Sequence, residues 1–275
     1  MQTGKHIRLR RIWEHKRAVI IPYDHAAYSG PVPGIEDPLR LTERIAGTAA
    51  DAVLVNPGTL KAIAPALGRL GVIVRLDGGL TRFAPAASDY RTMCPVDSAL
   101  ALGADAGIVF TFVGTAHETE SLERLGRTAA DAERHGFPLI AEVLPPGILN
   151  NHFGSTMFGK PNDGVDLVAE TMSVTRIAAE AGADIIKTRY TGDMGQFREI
   201  VRQCVVPVIV AGGPTLNRSE DELLRLVHDC MKADAAGIIF GRNVWQHPKM
   251  EQLIAALSAI VHEDETVESA IKILR

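Results

Sequence analysis

Short apolar runs alternate with amphipathic stretches along most of the chain. Each run is rich in β-branched and aliphatic residues, and a polar or glycine-rich break separates it from an Ala-, Leu-, Arg- and Glu-rich stretch. These periodicities are typical of buried strands followed by amphipathic helices. Eight such runs occur, at residues 18–24, 51–56, 71–77, 106–112, 138–144, 184–190, 206–212 and 235–241.

This alternation predicts the α/β class and a closed barrel. Strands that alternate with helices form parallel βαβ units, and eight units in about 250 residues are what a (β/α)8 barrel requires. An open doubly wound sheet would carry a glycine-rich fingerprint after its first strand, whereas the chain there reads DHAAYSGP. We therefore predict one domain over residues 1–275, a single (β/α)8 TIM barrel.

The segments outside the regular pattern have predicted places around this barrel. The basic stretch KHIRLRRIWEHKR is interrupted by apolar residues, so we expect residues 1–17 to include a helix that closes the barrel floor rather than an anion-binding arm. The Pro- and Gly-rich segments 30–38 and 145–163 predict loops over the barrel mouth. Ser219 and Glu222 match the spacing of a helix capping box.

Composition narrows the classes of function. The net charge of −4 over 275 residues argues against nucleic-acid binding, which normally requires a basic surface. Cys94, Cys204 and Cys230 have no metal-binding spacing, and this sparse, odd set favours a reducing cytoplasm. No leader-like segment or membrane-length apolar run is present, so we expect a cytoplasmic protein with no membrane partner. The apolar C-terminal stretch MEQLIAALSAIVHEDETVESAIKIL favours a homo-oligomer.

Polar residues and glycines follow the predicted strands at the ends that meet in the barrel mouth. The carboxyl ends of barrel strands are where such folds carry their chemistry. These positions are Asp24, His25, Asn56, Asp77, Thr111, Glu142, Lys187, Gly212, Gly213, Gly241 and Arg242. So many polar residues at matching positions predict one active site.

The last two strand ends predict a phosphate site. The sequences AGGP and FGRN contain Gly212, Gly213, Gly241 and Arg242. Glycines let backbone N–H groups approach phosphate oxygens, a following helix N-terminus adds its dipole, and arginine pairs with the dianion. The alternative is that the glycines only permit tight turns; their joint occurrence after the seventh and eighth runs favours phosphate.

Lys187 follows two isoleucines in the sixth run, GADIIKTRYTGD. A buried amine needs a partner or must lose its charge. In the structural alternative, Lys187 reaches the barrel rim or pairs with a carboxylate such as Glu142. In the functional alternative, it is held in the mouth as a neutral amine that forms an imine with a carbonyl. A neighbouring phosphate site favours the imine, because it would anchor a phosphorylated ketone over the amine.

Asp24 ends the first run and is a candidate proton carrier or partner for a substrate hydroxyl. The alternative is that it caps the following loop, as aspartate often does. Among the histidines, His25, His117 and His152 fall near the predicted mouth, but none belongs to a metal-binding cluster in sequence. A zinc site built from distant strands is the less favoured alternative, so we predict no metal and no other cofactor.

Five segments together resemble a known family: GKHIRLRRIW, IPYDHAAYSGP, GADIIKTRYTGD, PVIVAGGP and GIIFGRNVWQH. They run in order along nearly the whole chain and are similar to the class I, Schiff-base aldolases of the DeoC/LacD, archaeal-type fructose-bisphosphate aldolase family. The first three most resemble the 2-amino-3,7-dideoxy-D-threo-hept-6-ulosonate synthases in it. The resemblance implies that Lys187 forms the Schiff base, that Asp24 handles protons and substrate hydroxyls, and that AGG and GRN bind phosphate.

One position departs from the family pattern. Where the family has a proton-transferring tyrosine after the fifth strand, in a Tyr-Pro-Arg-Gly sequence, this chain has Leu144 followed by Pro-Pro-Gly. Leucine cannot transfer a proton. The replacement candidates are Tyr28, His25, His152 and Tyr190.

The leading hypothesis is a metal-independent lyase or synthase that joins a phosphorylated ketone of the dihydroxyacetone-phosphate type to an aldehyde through an imine on Lys187. The resemblance alone suggests aspartate semialdehyde as that aldehyde. Its catalytic set is Lys187, Asp24, Tyr28 and His25. The alternatives are a thiolase-like or retro-aldol enzyme for another sugar phosphate, and a sugar-phosphate-binding homologue without activity, which the Leu144 substitution motivates.

Overall fold

Eight parallel strands form a closed barrel in the computed structural model, which describes residues 2–13, 16–83, 90–152, 166–213 and 219–275. The barrel strands are β1 (Ala18–Pro22), β2 (Ala52–Val55), β3 (Gly71–Arg75), β6 (Ala106–Thr111), β7 (Leu139–Val143), β8 (Ile185–Arg189), β9 (Val208–Ala211) and β10 (Gly237–Ile239). β1 pairs with both β2 and β10, which closes the circle. The predicted (β/α)8 barrel is therefore confirmed.

Helices connect the strands and surround the barrel. They are α1 (Thr3–Leu9), α2 (Ala26–Ser29), α3 (Pro38–Ala46), α4 (Pro57–Ile63), α5 (Val96–Ala101), α6 (Glu118–Arg134), α7 (Pro146–His152), α8 (Leu167–Glu180), α9 (Met194–Gln203), α10 (Glu220–Lys232), α11 (Arg242–Trp245), α12 (Met250–Glu263) and α13 (Val267–Leu274). The capping box of Ser219 and Glu222 is present at the start of α10. Within the described part of the chain, no helix is both long and apolar enough to cross a membrane.

Alternate strand residues point to opposite sides of the barrel wall and form two apolar cores. Val19, Ile21 and their equivalents pack outward against the helices. Ile20, Ile73 and Ile185 point inward and fill the lower half of the barrel with other small and β-branched residues. This two-residue period follows from strand geometry, and the inner layer makes the lower barrel a packed core.

The N-terminal segment lies against the amino ends of the strands. Ile12 packs into the inner apolar cluster, and the Trp13 indole Nε1 donates to the carbonyl of Ala236 at 2.8 Å. Lys5 on α1 is buried and pairs with Glu133 and Asp184. These contacts join α1 and the turn after it to both the barrel wall and α6.

Three aspartates make the same kind of hydrogen bond at this end of the barrel. Asp51, Asp105 and Asp184 each stand immediately before a strand. Their carboxylates accept backbone N–H bonds from Val19, Val72 and Leu139 of the preceding barrel strands, at 2.6, 2.9 and 2.8 Å. Each carboxylate thereby satisfies a buried backbone donor that would otherwise lose its hydrogen bond to water.

The structure differs from the predictions in the third strand and in a loop. Strand β3 ends at Arg75, and Asp77 belongs to β4 (Asp77–Gly78), which pairs antiparallel with β5 (Arg91–Thr92). Part of the predicted mouth loop 145–163 is the helix α7, since Pro146 at its first position needs no N–H partner and has a helical φ. Residues 153–163 of that segment lie outside the described residues.

The apolar surplus of the C-terminal stretch is buried within the chain. Leu253, Leu257 and Ile260 of α12 are inaccessible to solvent and pack in the same core as Ala270 and Leu274 of α13. The stretch forms two helices that pack on each other rather than one barrel helix with a free apolar side. Its composition therefore gives no separate support to the predicted homo-oligomer.

Candidate active site

A cavity of about 550 Å³ opens at the carboxyl ends of the barrel strands. The predicted catalytic set and the predicted phosphate-binding residues all line it. These are Asp24, His25, Tyr28, Lys187, Gly212, Gly213, Gly241 and Arg242. The fold thus brings together residues that are up to 218 positions apart in the sequence.

The inward-facing positions change from apolar to charged one step up the barrel. Ile73, Ile140 and Ile185 belong to the packed lower layer. Two residues later on the same strands, and on the same side of the wall, come Arg75, Glu142 and Lys187. The position of Lys187 after two isoleucines is therefore the boundary between the core and the cavity.

Lys187 forms an ion pair with Glu142. The two residues are register partners on β8 and β7, and Lys187 Nζ lies 2.6 Å from Glu142 Oε1. Lys187 is 6% exposed, yet it lines the cavity. The structure combines two alternatives from the sequence: Lys187 pairs with Glu142 and also faces the mouth.

Arg75 connects the carboxylates of the cavity and was missed by the sequence analysis. Its guanidinium donates to Asp24 Oδ2 at 2.9 Å and to Glu142 Oε2 at 2.6 Å, and Nη1 lies 3.7 Å from Asp77 Oδ1. Burial opposes the charge on Glu142, but Lys187 and Arg75 outweigh it and hold the pKa of Glu142 well below its usual range. An arginine inside an apolar run, like the lysine of β8, was the available signal.

Asp24, His25 and Tyr28 form the side of the cavity that follows β1. The carbonyl of Asp24 accepts a hydrogen bond from Asn56 Nδ2 at 2.6 Å, and its carboxylate lies 3.5 Å from His25 Nδ1. Burial, aided by the charges of Arg242 and Lys187, lowers the pKa of His25 to about 4 although Asp24 opposes the shift. Burial and the charge of Asp24 raise the pKa of Tyr28 well above its ordinary value.

The ends of β9 and β10 form a corner with glycines and two arginines. Gly213 has a φ of +70°, and a Cβ there would lie 2.8 Å from Arg189 Nη2, so the position requires glycine. A Cβ on Gly241 would lie 2.7 Å from the carbonyl of Pro22. Arg242 and Arg189 both line the cavity here. The sequence analysis did not select Arg189.

The four candidates for the missing tyrosine have different positions. Tyr28 and His25 line the cavity. Tyr190 points to the outer side of the wall, where its ring packs edge-on to Phe197 at 5.3 Å, and it is not among the cavity-lining residues. The side chain of His152 lies outside the described part of the structure. Leu144 itself is buried beside Tyr90, a cavity-lining residue that the sequence analysis did not select.

The cavity is polar at its base but contains no evident cluster of metal ligands. Within the described ranges, no group of three or more His, Cys, Asp or Glu side chains is arranged to hold a metal ion. The carboxylates of Asp24, Asp77 and Glu142 instead converge on the guanidinium of Arg75.

The family model for DeoC/LacD family aldolases matches residues 18–247. The chain is 36% identical to a 2-amino-3,7-dideoxy-D-threo-hept-6-ulosonate synthase of Halobacterium salinarum, over 98% of this chain and 96% of that protein. It is 30% identical to a 3-hydroxy-5-phosphonooxypentane-2,4-dione thiolase of Yersinia enterocolitica, over 99% of this chain and 87% of that protein.

The fold has a counterpart of known structure. An archaeal fructose-1,6-bisphosphate aldolase with its catalytic lysine covalently bound to the carbinolamine intermediate superposes with a TM-score of 0.79. The two proteins are 26% identical, and the match covers 94% of this chain and all of that chain.

Proposed function

Since the chain belongs to the DeoC/LacD family of aldolases, we propose that it makes or breaks a carbon–carbon bond through an imine between Lys187 and a phosphorylated ketone. The observation that supports this most directly is the position of Lys187. Its nitrogen is buried at the base of a 550 Å³ cavity and, within the described part of the chain, pairs with one carboxylate, that of Glu142. A substrate carbonyl in the cavity can therefore reach it from above.

Glu142 stabilises the positive charge that the reaction places on Nζ. Attack of the amine on the carbonyl gives a carbinolamine, and loss of water gives an iminium ion. The iminium carries its charge on the same nitrogen that pairs with Glu142 before the reaction, so the carboxylate is already oriented towards the developing charge. The iminium then withdraws electrons, which eases either cleavage of the adjacent bond or loss of a proton to give an enamine.

Asp24 is assigned to binding a substrate hydroxyl and to transferring the proton of that hydroxyl when the carbon–carbon bond forms or breaks. Arg75 holds its carboxylate in the cavity wall and links it to Glu142. His25 and Tyr28 complete this side of the cavity. With its pKa lowered to about 4, His25 is a neutral imidazole at neutral pH, and it can act as a hydrogen-bond partner for substrate without adding charge.

The corner of Gly212, Gly213, Gly241 and Arg242 binds the phosphate. Among the residues that the structure describes, four side-chain cations and three carboxylates line the cavity, and this surplus of positive charge favours a phosphorylated substrate. The cations are Arg75, Lys187, Arg189 and Arg242, and the carboxylates are Asp24, Asp77 and Glu142. The corner follows β9 and β10, next to the β8 strand of Lys187, which suits a phosphate one or two carbons from the carbonyl.

The donor of this proposal is a ketone of the dihydroxyacetone-phosphate type, and the acceptor is an aldehyde, with aspartate semialdehyde as the first candidate. The similarity to a hept-6-ulosonate synthase supports a multi-carbon sugar-like product. The similarity to a thiolase supports a second candidate function, acyl transfer or retro-aldol cleavage with another sugar phosphate. No metal takes part in either scheme.

Borohydride trapping tests the central step. Incubation with dihydroxyacetone phosphate and sodium borohydride should give a stable adduct that mass spectrometry locates on Lys187, and the K187M variant should give none. A wild-type protein without an adduct on Lys187 contradicts the proposal. Product analysis with a panel of aldehydes, with and without coenzyme A, then separates the synthase from the thiolase.

A further inference from the structure

One phenol stands in an otherwise apolar wall of the cavity. The wall is a separate hydrophobic cluster whose buried members are Tyr90, Phe110, Phe112, Leu144 and Leu149. Tyr90 is the only one of them with a polar side-chain atom. It is 7% exposed, and it lines the cavity together with Phe110 and Leu144.

Tyr90 is fixed by both its ring and its backbone. The ring packs edge-on against Phe112 at 5.1 Å and against Phe110 at 5.9 Å between centroids. The largely buried guanidinium of Arg124 donates to the carbonyl of Tyr90 and, at 2.7 Å, to that of Phe110. Arg124 Nε also lies 3.3 Å from Asp77 Oδ2. The side chain therefore enters the cavity from a defined position.

The order of the strands places the wall that contains Tyr90 on the side of Lys187 opposite to the phosphate corner. The phosphate corner follows β9 and β10, on one side of β8, and Glu142 and Phe110 lie on β7 and β6, on the other side. A ketone anchored at the corner with its carbonyl at Lys187 extends its remaining carbons towards Glu142 and the wall of Tyr90. Tyr28 lies instead beside His25, after β1, where the ring centroids are 5.6 Å apart.

The surroundings of the Tyr90 hydroxyl favour its protonated form. Burial raises the pKa of Tyr90 above its ordinary value, although the charge of Arg75 acts in the opposite direction. The phenol thus keeps its proton at neutral pH and can donate it. Leu144, the inward-facing residue two positions after Glu142, cannot.

We propose that the Tyr90 hydroxyl transfers the protons of the imine chemistry at Lys187, an inference that rests on the proposed function. In the carbinolamine, Tyr90 donates its proton to the departing hydroxyl. The C–O bond breaks, the nitrogen lone pair forms the C=N bond, and water leaves a tyrosinate behind. The tyrosinate then removes a proton from the carbon next to the iminium. The electrons of that C–H bond form the enamine, and the phenol is restored.

The Y90F variant removes only the oxygen and tests this role. We expect proton exchange with deuterated water at the donor carbon of dihydroxyacetone phosphate to slow by about 10²-fold or more, the usual contribution of a positioned acid or base, with KM changed less than threefold. After long incubation, borohydride should still trap an adduct on Lys187, because the lysine is intact. Exchange at the wild-type rate would assign the proton transfer elsewhere and overturn the inference while leaving the Lys187 adduct unaffected.

Two further variants separate a catalytic from a structural role. Y28F should slow exchange less than Y90F, and the opposite order would transfer the assignment to Tyr28. L144Y in the Y90F background should raise the exchange rate at least tenfold above that of Y90F, because it supplies a phenol from the adjacent wall position. A Y90F protein that loses the equilibrium adduct, melts at a much lower temperature and is not rescued by L144Y would show that Tyr90 only supports the wall. A wild-type protein without any adduct would remove both this inference and the proposed function.

Discussion

Among the residues that the structure describes, two lysines are buried, one at each end of the barrel. Lys5 at the floor is 3% exposed and Lys187 at the mouth is 6% exposed, and both contact carboxylates. Lys5 has two partners, Glu133 at 2.5 Å and Asp184 at 2.8 Å, and it joins α1 to α6 and to the turn before β8. Lys187 has the single carboxylate of Glu142, and its other side faces the cavity.

The difference lies in what surrounds the amine rather than in how deeply it is buried. Burial lowers the pKa of Lys5, but the hydrogen bonds to Asp184 and Glu133 outweigh this and raise the pKa above its ordinary value. Lys5 therefore stays a cation, fixed between two carboxylates. Glu142 pairs with both Lys187 and Arg75. The amine of Lys187 can therefore react with a substrate while the Glu142 carboxylate keeps Arg75 as a cationic partner.

The aspartates at the two ends differ in the same way. At the floor, Asp51 and Asp105 accept backbone N–H bonds of neighbouring strands and contribute to stability. At the mouth, Asp24 and Glu142 contact the side chain of Arg75, which is itself exposed to the cavity. A charged residue that satisfies the backbone is structural, whereas one that meets other charges in a cavity is available for chemistry.

Exchanging each lysine for methionine is the strongest test of this comparison. K187M should lower kcat by about 10⁴-fold or more, since the nucleophile is lost, with little change in melting temperature. K5M should keep the kcat of the folded protein and lose about 3 kcal/mol of stability, because Asp184 then loses its buried partner. Steady-state kinetics and urea unfolding measure the two effects. A K5M protein that is stable but inactive would contradict the assignment of a structural lysine to the floor and a catalytic lysine to the mouth.

Replacing Glu142 tests the electrostatic part of the proposal. E142Q keeps the shape of the side chain but removes the charge opposite Nζ, so kcat should fall by about 10²–10³-fold. E251Q is the matched control, because it breaks a surface pair with Arg44 whose two side chains are more than 40% exposed. The control should change neither kcat nor, by more than about 1 kcal/mol, the free energy of unfolding. Equal kinetics for E142Q and the wild type would exclude the iminium-stabilising role.

Substitutions in the phosphate corner should affect binding more than catalysis. R242Q removes a cation from the corner, and we expect KM for the phosphorylated ketone to rise by about 10–100-fold, as for the loss of a charge-assisted contact. KM for unphosphorylated dihydroxyacetone should stay unchanged in the same variant. R225Q is the control, because the exposed guanidinium of Arg225 pairs with Asp221 on α10, away from the cavity. Equal rises for both substrates would mean that Arg242 does not bind the phosphate.

The fold and most of the cavity could be predicted because both follow local patterns. Eight apolar runs determine the barrel, and polar residues at the ends of several runs, such as Asp24, Asn56 and Glu142, line the mouth. Arg75, Arg189 and Tyr90 were missed for different physical reasons. Arg75 and Arg189 belong to apolar runs that predict strands. The sequence of a run does not show which of its inward-facing positions lies above the packed layer. Tyr90 precedes the short strand β5, and only tertiary packing on Phe110 and Phe112 brings it to the cavity.

The smallest expected effect concerns the pH dependence of stability at the mouth. With its pKa lowered to about 4, His25 in the folded protein binds fewer protons between pH 4 and 6.5 than an unfolded histidine does. The unfolded state is therefore favoured as the pH falls through this range, and stability rises again as the pH increases. The slope of the unfolding free energy against pH is proportional to the difference in bound protons between the two states. H25N should reduce this slope between pH 4 and 6.5 by the equivalent of at most about one proton. H135N, at an exposed position after α6, should leave the slope unchanged, and equal slopes for H25N and H135N would show that the mouth does not hold His25 neutral.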